Sequence, residues 1–284
     1  MSSESYYLPL CSKEQSGSNE PSAPRMDSEQ AVSVEQFSST DLTISVWSDT
    51  MQHGAPPSAL LVRALEQCAH REDVRLTRVV VEILGPIPIA DLEVRSWVQR
   101  PGRKVELVVA ELWTIGDRSR AVARGTAWRM ETVDTSTAVH VVEPPLEPPS
   151  AGRDGPFGGI WNAGYLNTLD LRWLAVPMRD SPGKLWAKPK PALVLGESMT
   201  PLERLFTVAD LANGVGAKLD PTHWTYLNTD LTVHILRVPE SQWVGICAET
   251  SIGPDGVGMC AGVLYDETGA VGRITQTLQV RART

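Results

Sequence analysis

The same order of elements occurs twice along this 284-residue chain, and that repetition limits the fold more than any other feature. In 57–68, apolar residues at Leu60, Leu61, Ala64, Leu65 and Cys68 predict a helix with one wide buried stripe. Strand-like runs follow at 76–84, 92–100, 104–113 and 120–130. A second helix is predicted from Thr200 to about Asn213. Thr200 and Glu203 form a capping box there, Pro201 suits the first helical position, and Gly214 suits the C-terminal cap. Its stripe is Leu202, Leu205, Phe206 and Ala209, and strand-like runs again follow, at 226–236, 242–251, 256–265 and 271–281. Val, Ile, Leu, Thr and Trp dominate the runs, with Gly, Pro or Asp turns between them. Val79, Val81 and Ile83 recur as Leu231, Val233 and Ile235 at a single offset, which also relates Val94 to Ile246 and Val105 to Val257. A slightly shorter offset relates Pro57 to Pro201 and Glu66 to Asp210. This is the signature of an internal duplication.

A helix on an antiparallel sheet covers one sheet face and leaves long unpaired edges. Joining two such units edge to edge into one continuous sheet relieves both problems. The expected fold is therefore α+β, a double hotdog, with residues 36–138 and 160–284 as the two units. Residues 139–159, with five Pro and four Gly, read as a linker between them. Residues 1–35 are rich in Ser, Glu, Pro and Gln and read as a disordered tail, in which Met26 is an alternative start. A sheet edge left open by two fused units suggests a homodimer or higher homo-oligomer.

Lys plus Arg number 26 against 34 Asp plus Glu, and the net charge of −8 argues against a nucleic-acid surface. No stretch is apolar for the length of a membrane span, and no secretory signal pattern opens the chain, so a cytoplasmic location is expected. The four cysteines show no CxxC spacing, so neither disulfides nor zinc are expected to define the fold. Nine Trp stand against three Phe, and those in strand runs, Trp97, Trp113, Trp128 and Trp243, are expected to cover a helix. GxSxG, Walker A, strand-borne GxGxxG and HExxH motifs are all absent from the sequence.

Three segments in order, 208–214 (VADLANG), 228–234 (NTDLTVH) and 272–276 (GRITQ), resemble the C-terminal half of acyl-CoA thioesterase-like proteins of the TesB-type double-hotdog class. The stretch His53-Gly54-Ala55-Pro56-Pro57 is similar to the entrance of their N-terminal unit, where a Gly pair is usual. The resemblance implies hydrolysis of an acyl-CoA substrate by a water held between a helix Asp, a strand hydroxyl and a Gln on the last strand. Asp210 and Gln276 match the first and last of these. Asn228 stands at the hydroxyl position, with Thr229 next to it, and both are candidates. His53 and Gly54 would line the acyl-CoA entrance, with amides near Gly54 as oxyanion donors at a helix N-terminus. Such chemistry needs a positioned water, a carboxylate and oxyanion donors, and it implies no metal and no organic cofactor. The alternatives are an acyl-CoA or lipid-binding hotdog without turnover, and an enoyl-CoA hydratase of hotdog fold. A hydratase is expected to pair an Asp with a His on the helix or the loop after it, yet no histidine follows Asp210 before His223.

Overall fold

The computed structural model describes residues 4–10, 32–117, 119–157 and 164–283. Strand β1 (Ser5–Pro9) and strand β2 (Ser33–Ser39) precede helix α1 (Ala55–Gln67). Strands β3 (Val74–Ile83), β4 (Asp91–Arg100), β5 (Val105–Thr114) and β6 (Ala123–Glu131) follow. The second half opens with β7 (Arg153–Asp154), β8 (Leu169–Ala175), β9 (Gly183–Pro189) and β10 (Ala192–Val194). Helix α2 (Pro201–Ala209) and the short α3 (Ala212–Val215) come next. The chain closes with β11 (Trp224–Asn228), β12 (Asp230–Ile235), β13 (Val244–Ile252), β14 (Val257–Asp266) and β15 (Gly269–Ala282).

Among the described residues all the strands belong to one continuous sheet, in the order β10-β1-β2-β4-β5-β6-β3-β12-β15-β14-β13-β9-β8-β7, with β11 also paired to β15. Within it, β2-β4-β5-β6-β3 and β9-β13-β14-β15-β12 are two copies of one five-stranded unit. Registers repeat as well: Val94 faces Leu112 in the first unit, and Ile246 faces Leu264 in the second. The copies meet at the antiparallel β3–β12 pair, where Val80 faces its own repeat mate Thr232. Either side of that pair, Val79 faces Val233 and Val81 faces Leu231. A pseudo-twofold axis therefore runs through the joint, and the apolar triplets that repeat in sequence zip the units together.

Both helices lie on one side of the sheet and pack against each other. Helix α1 is buried at every position from Ala55 to Leu65, so its stripe widens to its whole circumference. Leu60, Leu61, Leu65, Leu205 and Phe206 are wholly buried among Val79, Leu231 and Val233 of the sheet. Each such side chain contributes about 1.5–3 kcal/mol by leaving water.

Several expectations need correction. Residues 1–35 are not a disordered tail throughout, because Ser5–Pro9 pairs with β2 on one side and β10 on the other, and Tyr6 and Tyr7 are wholly buried. Average composition hid a short apolar run, Tyr6 to Leu10, whose backbone finds two partners only in the tertiary fold. Residues 11–31, including Met26 and Cys11, lie outside the described residues, as do 158 and 159 of the linker. The rest of the linker runs along the second unit: Glu143 pairs with Arg273, and the Trp186 indole donates to the Glu147 carbonyl. Helix α2 stops at Ala209 with Asp210 as its cap residue, so Gly214 falls inside α3 rather than capping the helix. Trp97, Trp113 and Trp128 alternate with the core residues of their strands. They lie on the face away from the helices, where Arg124, Arg95 and Arg100 stack over them at 4.9–6.0 Å.

Candidate active site

Asp210 sits where α2 ends, and the residue is 3% exposed. Its Oδ1 accepts from Asn228 Nδ2 at 2.7 Å and from Gln276 Nε2 at 3.0 Å. Burial pushes its pKa up to about 7, against the lowering effect of the two amides. Gln276 is 1% exposed on β15, and its Oε1 is buried without a hydrogen-bond partner among the described residues.

The first unit supplies the other wall. His53 Nδ1 stands 3.3 Å from Asp210 Oδ2, and it also accepts the Ala55 N–H at 3.1 Å. A ring nitrogen that accepts carries no proton, so the proton of the neutral ring is on Nε2. Desolvation lowers the His53 pKa to about 3 and keeps the ring neutral. The contact is therefore not an ion pair. It is relieved when Asp210 Oδ2 carries the proton. At the head of α1, Pro56 and Pro57 have no N–H and Ala55 is committed to His53, which leaves the Gly54 N–H. Among the described residues nothing accepts from it.

Asn228 and Thr229 are separated in role by an irregularity between β11 and β12. Asn228 faces Leu278 while Thr232 faces Thr275, so the register against β15 slips by one residue at Thr229. A slip at the equivalent place separates Leu76 from Arg78 in the first unit. It turns the Asn228 amide toward Asp210. The Thr229 backbone bridges Ile83 and Thr277, and among the described residues its exposed hydroxyl makes no hydrogen bond to Asp210. Both residues line a cleft of about 280 Å³ with His53, Gly54, Asp210 and Asn213. Asn213 belongs to the run that signals Asp210, and the sequence alone did not single it out. A larger hollow of about 1020 Å³ lies beyond Tyr226, lined by Phe157, Trp173 and Met178, and holds none of these groups. The smaller cleft is the better candidate, because the perturbed carboxyl opens onto it.

The duplication builds this constellation once. Cys260 faces Gln276 as its repeat mate Val108 faces Ala127, so Ala127 stands where Gln276 does. Leu76 stands where Asn228 does. Glu66, the mate of Asp210, instead accepts from the Thr200 hydroxyl at 2.7 Å. The second copy is thus a carboxyl, with its pKa raised by burial, that is held by a threonine hydroxyl, while aliphatic residues occupy the positions of the two amides.

Fold and site together define a pair of hotdog units sharing one cleft between the end of one helix and the head of the other. Two sequence profiles match the chain, the acyl-CoA thioesterase N-terminal domain over residues 43–130 and the acyl-CoA thioesterase C-terminal domain over residues 143–280. The chain belongs to the acyl-CoA thioesterase family. A hot-dog-fold protein from Alicyclobacillus acidocaldarius superposes with a TM-score of 0.71 at 14% identity, over 89% of this chain and 97% of that one. An acyl-CoA thioesterase II, TesB2, from Mycobacterium marinum gives 0.64 at 11% identity, over 88% and 94%. A tesB protein from Mycobacterium avium subspecies paratuberculosis gives 0.63 at 11%, over 87% and 93%. At these identities the likeness is one of fold. No curated protein sequence matches the chain.

Proposed function

We propose that the protein hydrolyses acyl-CoA thioesters by direct attack of water. The water gives a proton to Asp210 Oδ2 as its oxygen bonds the thioester carbonyl carbon. Charge then gathers on the carbonyl oxygen, toward the Gly54 N–H and the positive end of α1. Collapse of the adduct breaks the carbon–sulfur bond, and the CoA thiolate leaves with the proton held by Asp210. Asn228 and Gln276 fix Oδ1 so that Oδ2 faces the cleft, and Gln276 Oε1 is free to accept the water's other proton. The observation that carries this reading is a buried carboxyl with a pKa of about 7, the value that suits a base working at neutral pH. Release of free thiol from acyl-CoAs of short, medium and long chain tests it, run beside Asp210→Asn and Gln276→Ala. Turnover abolished by Asp210→Asn is expected. Binding without turnover by the wild type would select the non-catalytic alternative.

A second reading draws on the His53–Asp210 contact. The histidine missing from the loop directly after Asp210 is supplied instead by the other unit, at 3.3 Å. An acid and a neutral imidazole side by side suit addition of water to an enoyl thioester. Loss of enoyl absorbance with no free thiol would select that chemistry.

A further inference from the structure

We propose that Tyr165 is a positioning residue for the cleft, holding His53 with its ring and the Asp210 turn with its hydroxyl, and that the amino-terminal strand β1 holds Tyr165 in turn. The inference rests on the reading of Asp210 as the base that acts on an acyl thioester.

Tyr165 is wholly buried in a turn of 3-10 helix, Gly164–Thr168, on the stretch that joins the two units. Its ring centroid lies 4.5 Å from that of His53, with the planes inclined by 32°. Its hydroxyl donates to the Thr207 carbonyl, in the last turn of α2. The helix leaves that carbonyl unused, since the Leu211 N–H turns to Val208 instead. One side chain thus backs the imidazole on one side of the cleft and caps the turn that carries Asp210 on the other.

Tyr165 is itself fixed at both of its backbone groups. Its N–H donates to the Ile44 carbonyl at 2.9 Å, an approach that a Cβ on Gly164 would block, and Gly164 has φ +52. Its carbonyl accepts the Thr168 hydroxyl at 2.6 Å. Thr168 has one hydroxyl proton and spends it there, so the 2.6 Å bond to Tyr6 of β1 runs from the tyrosine to Thr168. The next residue of β1, Tyr7, donates to Gln52 Oε1 at 2.7 Å, beside His53 in the chain. Strand β1 is parallel to β10 of the second unit and antiparallel to β2 of the first, so it brings both hydroxyls in from a seam between the units. Displacing a reacting group by about 1 Å can cost on the order of 100-fold in rate, so such a brace has a kinetic readout.

The test is a kcat and KM comparison of the full chain carrying Tyr165→Phe or Tyr165→Leu, with Trp186→Phe as a control. Trp186 is equally buried but belongs to a separate cluster with Tyr265 and Ala270. Tyr165→Phe keeps the ring and frees the Thr207 carbonyl, and should lower kcat roughly 10-fold with KM within about 2-fold. Tyr165→Leu removes both contacts and should lower kcat about 100-fold. Trp186→Phe should lose stability without losing kcat. The His53 ring protons, shielded by the Tyr165 face, should move downfield by NMR in the Leu variant and stay in place in the Phe variant. If Tyr165→Leu does not fold, Tyr6→Phe, which removes only the outer hydroxyl, takes its place and should lower kcat about 3-fold. Wild-type kcat in a folded Tyr165 variant, or a loss no greater than that of Trp186→Phe, would overturn the proposal. If the wild type releases no thiol, the functional reading falls, while unmoved His53 protons in Tyr165→Leu would separately overturn the ring contact.

Discussion

Gly54 and Asp210 meet so closely that a Cβ on residue 54 would stand 2.6 Å from Asp210 Oδ2 and 3.1 Å from its carboxyl carbon. Gly54 has φ −63 and ψ −21, a conformation open to any residue, so the missing side chain serves space and not backbone freedom. Gly54→Ala should therefore fold and melt close to the wild type while driving the carboxyl from its place. Its kcat/KM should fall on the order of 100-fold by steady-state kinetics, and a fall under about 3-fold would contradict this packing.

The buried carboxyl weakens the fold. Its pKa rises from 3.8 unfolded to about 7 folded. A raised folded pKa means that the acid form is favoured by folding, so this stabilisation is full below pH 3.8 and is lost as pH rises to about 7. The loss is on the order of 4 kcal/mol. Asp210→Asn removes the titration. The variant should melt above the wild type at pH 8, with the gap closing toward pH 4, as read by thermal melts across that range.

The rate should follow the same group. Turnover should rise with pH around a midpoint near 7 as Asp210 ionises, and His53, with a pKa of about 3, should add no falling limb. Asn228 lowers the Asp210 pKa, so Asn228→Ala should move the midpoint upward as well as reduce kcat roughly 10-fold. A pH–rate series on both proteins checks the direction.

Glu66 is the repeat mate of Asp210, yet it faces Thr200 instead of two amides. Glu66→Gln keeps an acceptor for that hydroxyl and should leave kcat within about 2-fold, against the 100-fold or greater loss expected of Asp210→Asn.

The elements legible in sequence are those whose apolar residues recur in the same order in both halves. Helix α1, helix α2 and the strands from β3 to β6 and β12 to β15 all carry this order, whereas the pairing of the two triplets across the joint is visible only in the fold. Strands β1, β2 and β9 do not. Ser33–Ser39 is polar along most of its length, and Gly183–Pro189 contains two lysines, so only their neighbours in the sheet make them strands. Asp210 and Gln276 were legible through family resemblance and strand alternation. The meeting of His53 with Asp210, and the place of Tyr165 behind it, depend on how two distant segments pack, and no local pattern encodes that.

The central claim, direct attack of water assisted by Asp210, is tested most directly by a single turnover of an acyl-CoA in ¹⁸O-labelled water. The account predicts one ¹⁸O in the carboxylate product of the first turnover, with free CoA released in equal amount, and neither from Asp210→Asn. An unlabelled first product, with the label found in the Asp210 carboxyl, would mean that the aspartate attacks the thioester itself and would contradict the account.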